Sequence, residues 1–293
     1  MSKYLMCFFF ITYTAVSQER LSLNQEKPRI AVMPCDVSGE IDRDVFQQSI
    51  RDAFLESIFQ KIQNKFVAVK RFTVIERAAV NKIIQEQNFQ LTDLADPNKA
   101  VSIGNILGAQ FIVQGNVQSI RYTTSKKNDK TRCVIEMTVR YIDVKTGEIK
   151  ASTSLKGRSD KKDSKSVNMA YAALDSLDKQ LAAGIKKTFP IEGKVVKVLE
   201  IEDQKKKNKI KIRLLISCGT EIGVAKDDVF RVVEEETVEI DGKSYIRNKD
   251  VGKVVVTKPE SDGLFSLCKI LEGEEVLLSN RKNIQKYKVI SAE

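Results

Sequence analysis

Residues 110–157 read QFIVQGNVQSIRYTTSKKNDKTRCVIEMTVRYIDVKTGEIKASTSLKG. Ile135, Met137, Val139 and Tyr141 fall on alternate positions, as do Ile149, Ala151, Thr153 and Leu155. That period of two predicts strands over 110–120, 132–144 and 148–157, each burying one face of an antiparallel sheet. Asp143 to Gly147 is a tight turn between the second and third strands. The connection between the first and second, RYTTSKKNDKT, is polar and basic.

The flanks supply helices. Ile30 to Met33 reads as a buried strand, and Val67 to Ile75 as another. Between them, Phe46, Ile50, Phe54, Ile58 and Ile62 recur every four residues, which predicts an amphipathic helix over 44–64. A second helix runs from Arg77 to Gln87, with Ala79, Val80, Ile83 and Ile84 inward. Asp96-Pro97 is a cap followed by proline, which starts a third helix that Gly108 stops. Ser164 to Thr188 closes the set, with Val167, Ala170, Tyr171, Leu174, Leu177, Leu181 and Ile185 on one stripe. The order is β-α-β-α-α-β-β-β-α. After Pro190 the period changes from 3.6 to two. Strands are predicted over 192–200, 209–217, 228–239, 243–246, 252–257, 265–271 and 275–278, with turns at Asp241-Gly242, Asp262-Gly263 and Glu272-Gly273. The fold class is therefore α+β: an N-terminal mixed β-sheet flanked by helices over 18–188, then a small all-β barrel or sandwich over 191–293.

Composition removes many functions. The 293 residues contain no histidine and no tryptophan. A Ser-His-Asp triad, a Cys-His dyad and a His-ligated zinc are excluded. No Gly-rich phosphate loop or nucleophile elbow occurs. Met1 to Ser17 has one lysine, an apolar run and a small-x-small end at Ala15-Val16-Ser17, which reads as a signal peptide with Gln18 first in the mature chain. Cys7 lies inside the apolar run rather than after it, unlike a lipidation cysteine. Export permits disulfides, and Cys218 with Cys268 is the more plausible pair; Cys35 and Cys133 read as buried thiols. The net charge of +10 is concentrated: residues 121–165 hold 13 basic and 6 acidic side chains.

The run Arg71-Phe-Thr-Val-Ile-Glu-Arg-Ala-Ala-Val-Asn-Lys-Ile-Ile-Gln-Glu-Gln87 resembles the CsgG family, named for the curli-secretion component. Leu107-Gly108-Ala109, Phe111-Ile-Val-Gln-Gly115 and the Asp143-x-x-Thr-Gly147-Glu turn follow in the family's order, over about residues 29–188. In the second half, Ser217 to Val232 is similar to a segment of FlgT-like β-domains, with Asp227 where that pattern has glycine. The resemblance implies an envelope protein without an active site. Channel-forming relatives insert a long hairpin into the outer membrane. Related domains without one serve as periplasmic adaptors, among them LpoB-like activators of peptidoglycan synthases.

The expected function is a non-enzymatic, exported, periplasmic interaction or assembly protein of the CsgG type, outer-membrane-associated or not. Its partner would be an envelope protein or another copy of itself. A subunit of a curli-type secretion channel is the alternative, and an enzyme or nucleic-acid binder the second. No cofactor, metal or nucleic-acid partner is expected. The candidate partner-binding residues are Arg121, Lys126, Lys127, Lys130 and Arg132, which cluster on or beside one strand connection. Five cations there suit an anionic partner or surface.

Overall fold

The computed structural model describes residues 27–86, 96–125, 129–161, 165–202 and 210–292. The predicted leader, 1–17, lies outside these. The first part contains β1 (Arg29–Val32), β2 (Asp36–Ile41), α1 (Gln48–Ala68), β3 (Thr73–Val74), α2 (Arg77–Glu86) and α3 (Pro97–Leu107). It continues with β4 (Phe111–Ser125), β5 (Lys130–Asp143), β6 (Ile149–Lys161), α4 (Val167–Asp175) and α5 (Asp178–Thr188). The strands make one mixed sheet in the order β3-β1-β4-β5-β6, with β2 also beside β4. β1 runs parallel to β3 and β4, whereas β4, β5 and β6 form the antiparallel meander that their alternation predicts.

Two apolar layers sandwich part of this sheet. Ile30, Val32, Val113, Val117, Ile135, Met137, Val139 and Tyr141 face α1, α4 and α5, which supply Phe54, Ile58, Ile62, Phe66, Leu174, Leu181 and Ile185. On the opposite face, Ala31, Met33, Ile112, Ile142 and Val144 meet Val80 and Ile84 of α2 and Ala100 and Ile103 of α3. The third helix starts and stops as its sequence dictates. Asp96 accepts the Asn98 N–H at 2.9 Å, and Gly108 ends the helix at φ 63°.

Several elements differ from their sequence reading. α1 begins four residues late and runs on to Ala68, because Phe66 at its end is fully buried; the strand expected over 67–75 shrinks to Thr73–Val74. Phe46 is buried ahead of the helix and Ile50 is exposed. β2 was not anticipated: it presents Val37 and Ile41 to the core while Ser38 and Glu40 face water. The closing helix is broken at Ser176, whose hydroxyl accepts the Arg158 N–H at 2.9 Å and so ties the break to β6. The meander strands extend to Ser125, Lys130 and Lys161, leaving a connection shorter than the polar stretch suggests.

The second part is a closed barrel. Its elements are β7 (Glu192–Glu202), β8 (Ile210–Ile216), β9 (Val229–Ile240), β10 (Lys243–Pro259), β11 (Ser266–Glu272), α6 (Glu274–Ser279) and β12 (Tyr287–Ser291). Around the barrel the order is β10-β11-β8-β7-β12-β9. Val195, Leu214, Phe230, Val232, Val254, Val256, Tyr287 and Val289 fill it. The strand expected over 275–278 is α6, which buries only Leu277. The two short strands expected over 243–257 are one. Cys218 and Cys268 are free thiols, as are Cys35 and Cys133, so the disulfide alternative is not realised. Burial pushes Cys218 and Cys268 up to about 12 and Cys133 to about 11, which leaves no thiolate nucleophile at any of the three.

The two parts meet at tight contacts. Within the first part, beside the junction, the Arg71 guanidinium donates to the carbonyls of Lys186 and Phe189, acceptors that the end of α5 leaves open. Gly223, at φ 83°, brings the barrel's Thr220–Ile222 turn so close that a Cβ would lie 2.1 Å from the Val69 carbonyl oxygen. Gly223→Ala should therefore lower stability by more than ~1 kcal/mol, since both the backbone angle and the contact resist it. Gly242→Ala has a similar φ of 73° but nothing within 4 Å, and should cost less. Denaturant midpoints of the two variants check the order; equal losses would show that the contact with Val69 is immaterial.

Candidate interaction surface

α2 and α3 cover only one end of their face of the sheet. Beyond them, strand alternation sets a polar row on open ground. A register shift between Val117 and Ser119 decides which residues of β4 join it. After the shift Ile120 still faces the α1 layer, so Ser119 and Arg121 turn outward with Arg132, Glu136 and Arg140 of β5. β6 adds Lys156, Arg158 and Asp160 in register with Glu136, Val134 and Arg132.

Glu136 is the centre of this row. It accepts Arg121 Nη2 at 2.6 Å, Lys156 Nζ at 2.6 Å and Ser119 Oγ at 3.1 Å. Hydrogen bonds from Lys156 and Ser119, then the two nearby cations, hold its carboxyl below the usual carboxylate range. Arg132 Nε meets Asp160 Oδ1 at 2.7 Å. Thus two of the sequence-predicted cations, Arg121 and Arg132, are ion-paired within the chain. Lys130 is exposed at the start of β5, opposite Ser125. Lys126 and Lys127 lie outside the described residues.

The cations that sequence reasoning missed are Arg140 and Arg158, exposed on the same face and without an ion-pair partner among the described residues. Their signal was present in the alternation: both sit at positions that the apolar residues of β5 and β6 skip. The hairpin is anchored at its base, where the Tyr122 hydroxyl donates to the Ser166 carbonyl at 2.8 Å and Lys165 meets Asp42 at 2.9 Å. Its last residues are polar on both faces, Arg121, Thr123 and Ser125 on one and Tyr122 and Thr124 on the other. A membrane-crossing strand needs an outward apolar band, which this ribbon lacks.

A groove of about 730 Å³ between α5 and the barrel is lined by Arg71, Lys186, Asp227, Asp228 and Arg231, among others. Burial lowers the Arg71 pKa, with Asp228 opposing. Its bonds go to the main chain at the junction, so it acts there as a latch. Among the described residues, no three metal-ligating side chains converge.

The ion pairs have a pH signature. Glu136 and Asp178 both have depressed pKa values, Asp178 through Lys61 and Lys65. A depressed carboxylate stabilises the fold fully above its unfolded pKa and loses that contribution as pH falls through the folded value. Glu136→Gln should lower stability slightly at neutral pH, where the carboxylate is paired, and converge with the parent chain in acid, where both side chains are neutral. It should flatten the acid limb of the stability–pH curve. Denaturation at a series of pH values checks this, and superimposable acid limbs would refute it.

A family model described as the peptidoglycan-synthase activator LpoB matches residues 38–152, under half of the chain. No curated protein matches. Among solved structures, E. coli LpoB is 15% identical, with 46% of this chain and 59% of that one covered and a TM-score of 0.33. The LpoB C-terminal domain from Salmonella enterica is 16% identical, covering 44% and 82%, with a TM-score of 0.28. Lipoprotein GNA1162 from Neisseria meningitidis is 13% identical, covering 53% and 99%, with a TM-score of 0.35. The LpoB match overturns the CsgG assignment, and with it the curli-assembly function and the channel alternative. The match ends before the barrel. The misleading motifs are structural. The Glu76 carbonyl accepts the N–H groups of Ala79 and Val80 in the first turn of α2, and Arg77 pairs with Glu56 and lies over the Phe59 ring. Gly108 ends α3, and Asp143 closes a turn through the N–H groups of Lys145 and Thr146. Caps and turns of this kind serve many αβ folds.

Proposed function

We propose that this chain is a non-enzymatic, exported envelope protein that binds and activates a peptidoglycan synthase. The observation that carries the reading is the LpoB family match, which spans β2, α1–α3, β4, β5 and the start of β6. They carry Arg121, Arg132, Glu136 and Arg140 of the open polar face; Lys156, Arg158 and Asp160 of β6 lie beyond the matched residues. In this reading Arg140, Arg158 and Lys130 meet an acidic patch of the synthase, and Lys126 and Lys127, outside the described residues, add to it as their sequence suggests. Arg121 and Arg132, locked to Glu136 and Asp160, hold the surface in shape. Charges of this kind act mostly on the association rate and are screened by salt. Residues 18–188 and 191–293 are taken as separate domains joined at Pro190, with the first making the contact.

The test uses the purified mature chain and the peptidoglycan synthases of its source. Saturable binding and a faster rate of glycan polymerisation are expected. Arg140→Glu combined with Arg158→Glu should slow association by ~10-fold or more at low salt, with the difference shrinking as salt rises. Absence of both binding and stimulation with every synthase of that source would sink the proposal. Wild-type kinetics in the double variant would move the contact off the open face.

A further inference from the structure

β9 and β10 leave the barrel together. β12 accompanies β9 only from Phe230 to Glu234, and β11 accompanies β10 only from Lys253 to Pro259. Beyond those points, from Glu235 to Ile240 and back from Lys243 to Asp250, the two strands pair only with each other among the described residues. Every residue from 241 to 250 is exposed. A lone two-stranded ribbon is marginal in water. Its outer edges also carry open N–H and C=O groups. The chain treats another edge differently: Gln180 accepts the outward N–H of Lys156 on β6, and Ser176 that of Arg158.

The arm is also apolar where a solvated ribbon would be polar. Ile246 is 75% exposed, Ile240 54% and Tyr245 49%. Register places Tyr245 across from Val238 and Ile246 across from Thr237, so both faces of the ribbon carry apolar side chains.

Charge identifies the occupant. The arm of β9 is acidic, with Glu235, Glu236 and Glu239, and the arm of β10 is basic, with Lys243, Arg247 and Lys249; its one acidic residue, Asp250, pairs with Arg231. Lys249 meets Glu236 at 3.1 Å, and Glu235 pairs with Lys288. Among the described residues Glu239, Lys243 and Arg247 have no ion-pair partner. One free edge is thus acidic and the other basic. Two-fold pairing of β9 with β9, or of β10 with β10, sets like charges side by side, which is unfavourable. Pairing β9 of one copy with β10 of the next sets opposite charges together. With neighbouring arms pointing the same way, that new pair is antiparallel, as in the ribbon itself. We infer that the arms of successive copies join edge to edge, β9 to β10, into one continuous sheet. Such a contact is head-to-tail and does not close at two copies. This assembly is independent of synthase binding.

Sedimentation of the full mature chain over a range of concentrations and salt tests it. The expected result is a species larger than a dimer that grows with concentration and weakens with salt. Lys243→Glu combined with Arg247→Glu makes both edges acidic and should weaken association ~10-fold or more. Replacing residues 236–247 with Asn-Gly, which shortens the hairpin, should abolish it. If the shortened variant misfolds, the double substitution still decides, since it touches no barrel residue. A wild-type chain that stays monomeric, a closed dimer, or assembly that persists in the double variant would each overturn the inference. So would a monomer whose arm captures a different protein.

Discussion

Phe189 is the point on which the rest of the molecule leans. Phe72, Phe111 and Tyr141 pack edge-on around its ring, with centroids at 4.9, 5.1 and 5.5 Å. Phe66 joins from the end of α1, 5.1 Å from Phe72 and 6.2 Å from Tyr141. Such pairs contribute ~0.5–1.5 kcal/mol each beyond their buried area. The cluster gathers α1, the turn before β3, β4, β5 and the last residue before Pro190. It fixes where the chain leaves the sheet, and Arg71 then fastens that exit by binding the Lys186 and Phe189 carbonyls. The extension of α1 to Ala68 follows from the same constraint, because a strand there would carry Phe66 out of the cluster.

Much of the fold was legible because each part announced itself locally. The meander could be read from Ile135 to Tyr141 alone, and α3 from Asp96, Pro97 and Gly108. The change of period after Pro190 marked the barrel. β2 and β12 were not legible, since each is short and owes its extended form to a neighbour: β2 lies against β4, and β12 bridges β7 and β9. α6 misled because its apolar residues mimic a strand while Gly273, at φ 80°, turns the chain into a helix. The family assignment failed for a related reason, as the motifs behind it encode caps and turns rather than a surface.

The candidate site was legible as a region and not as a set of residues. Residues 121–165 are basic in sequence, but charge in a sequence is not charge on a surface. Arg121 and Glu136 are far apart along the chain and 2.6 Å apart in space, and only the register of β4 on β5 shows it. That pairing takes Arg121 out of the free cations and, with the shift after Val117, turns attention to Arg140 and Arg158. The acidic partners Glu136 and Asp160 tie β4, β5 and β6 together across that face.

The barrel's two free cysteines have a consequence for folding and its observation. Cys218 and Cys268 are fully buried, and a Cβ on Gly193 would lie 2.3 Å from the Cys218 sulfur, so the thiol sits directly against the backbone. With both pushed up to about 12, neither offers a thiolate to an oxidant or to a mixed disulfide while the barrel is shut. An oxidising compartment therefore meets these sulfurs only during synthesis or during transient opening. The native barrel carries its own clock: the rate at which a thiol reagent consumes Cys218 and Cys268 counts the openings of the strands that enclose them.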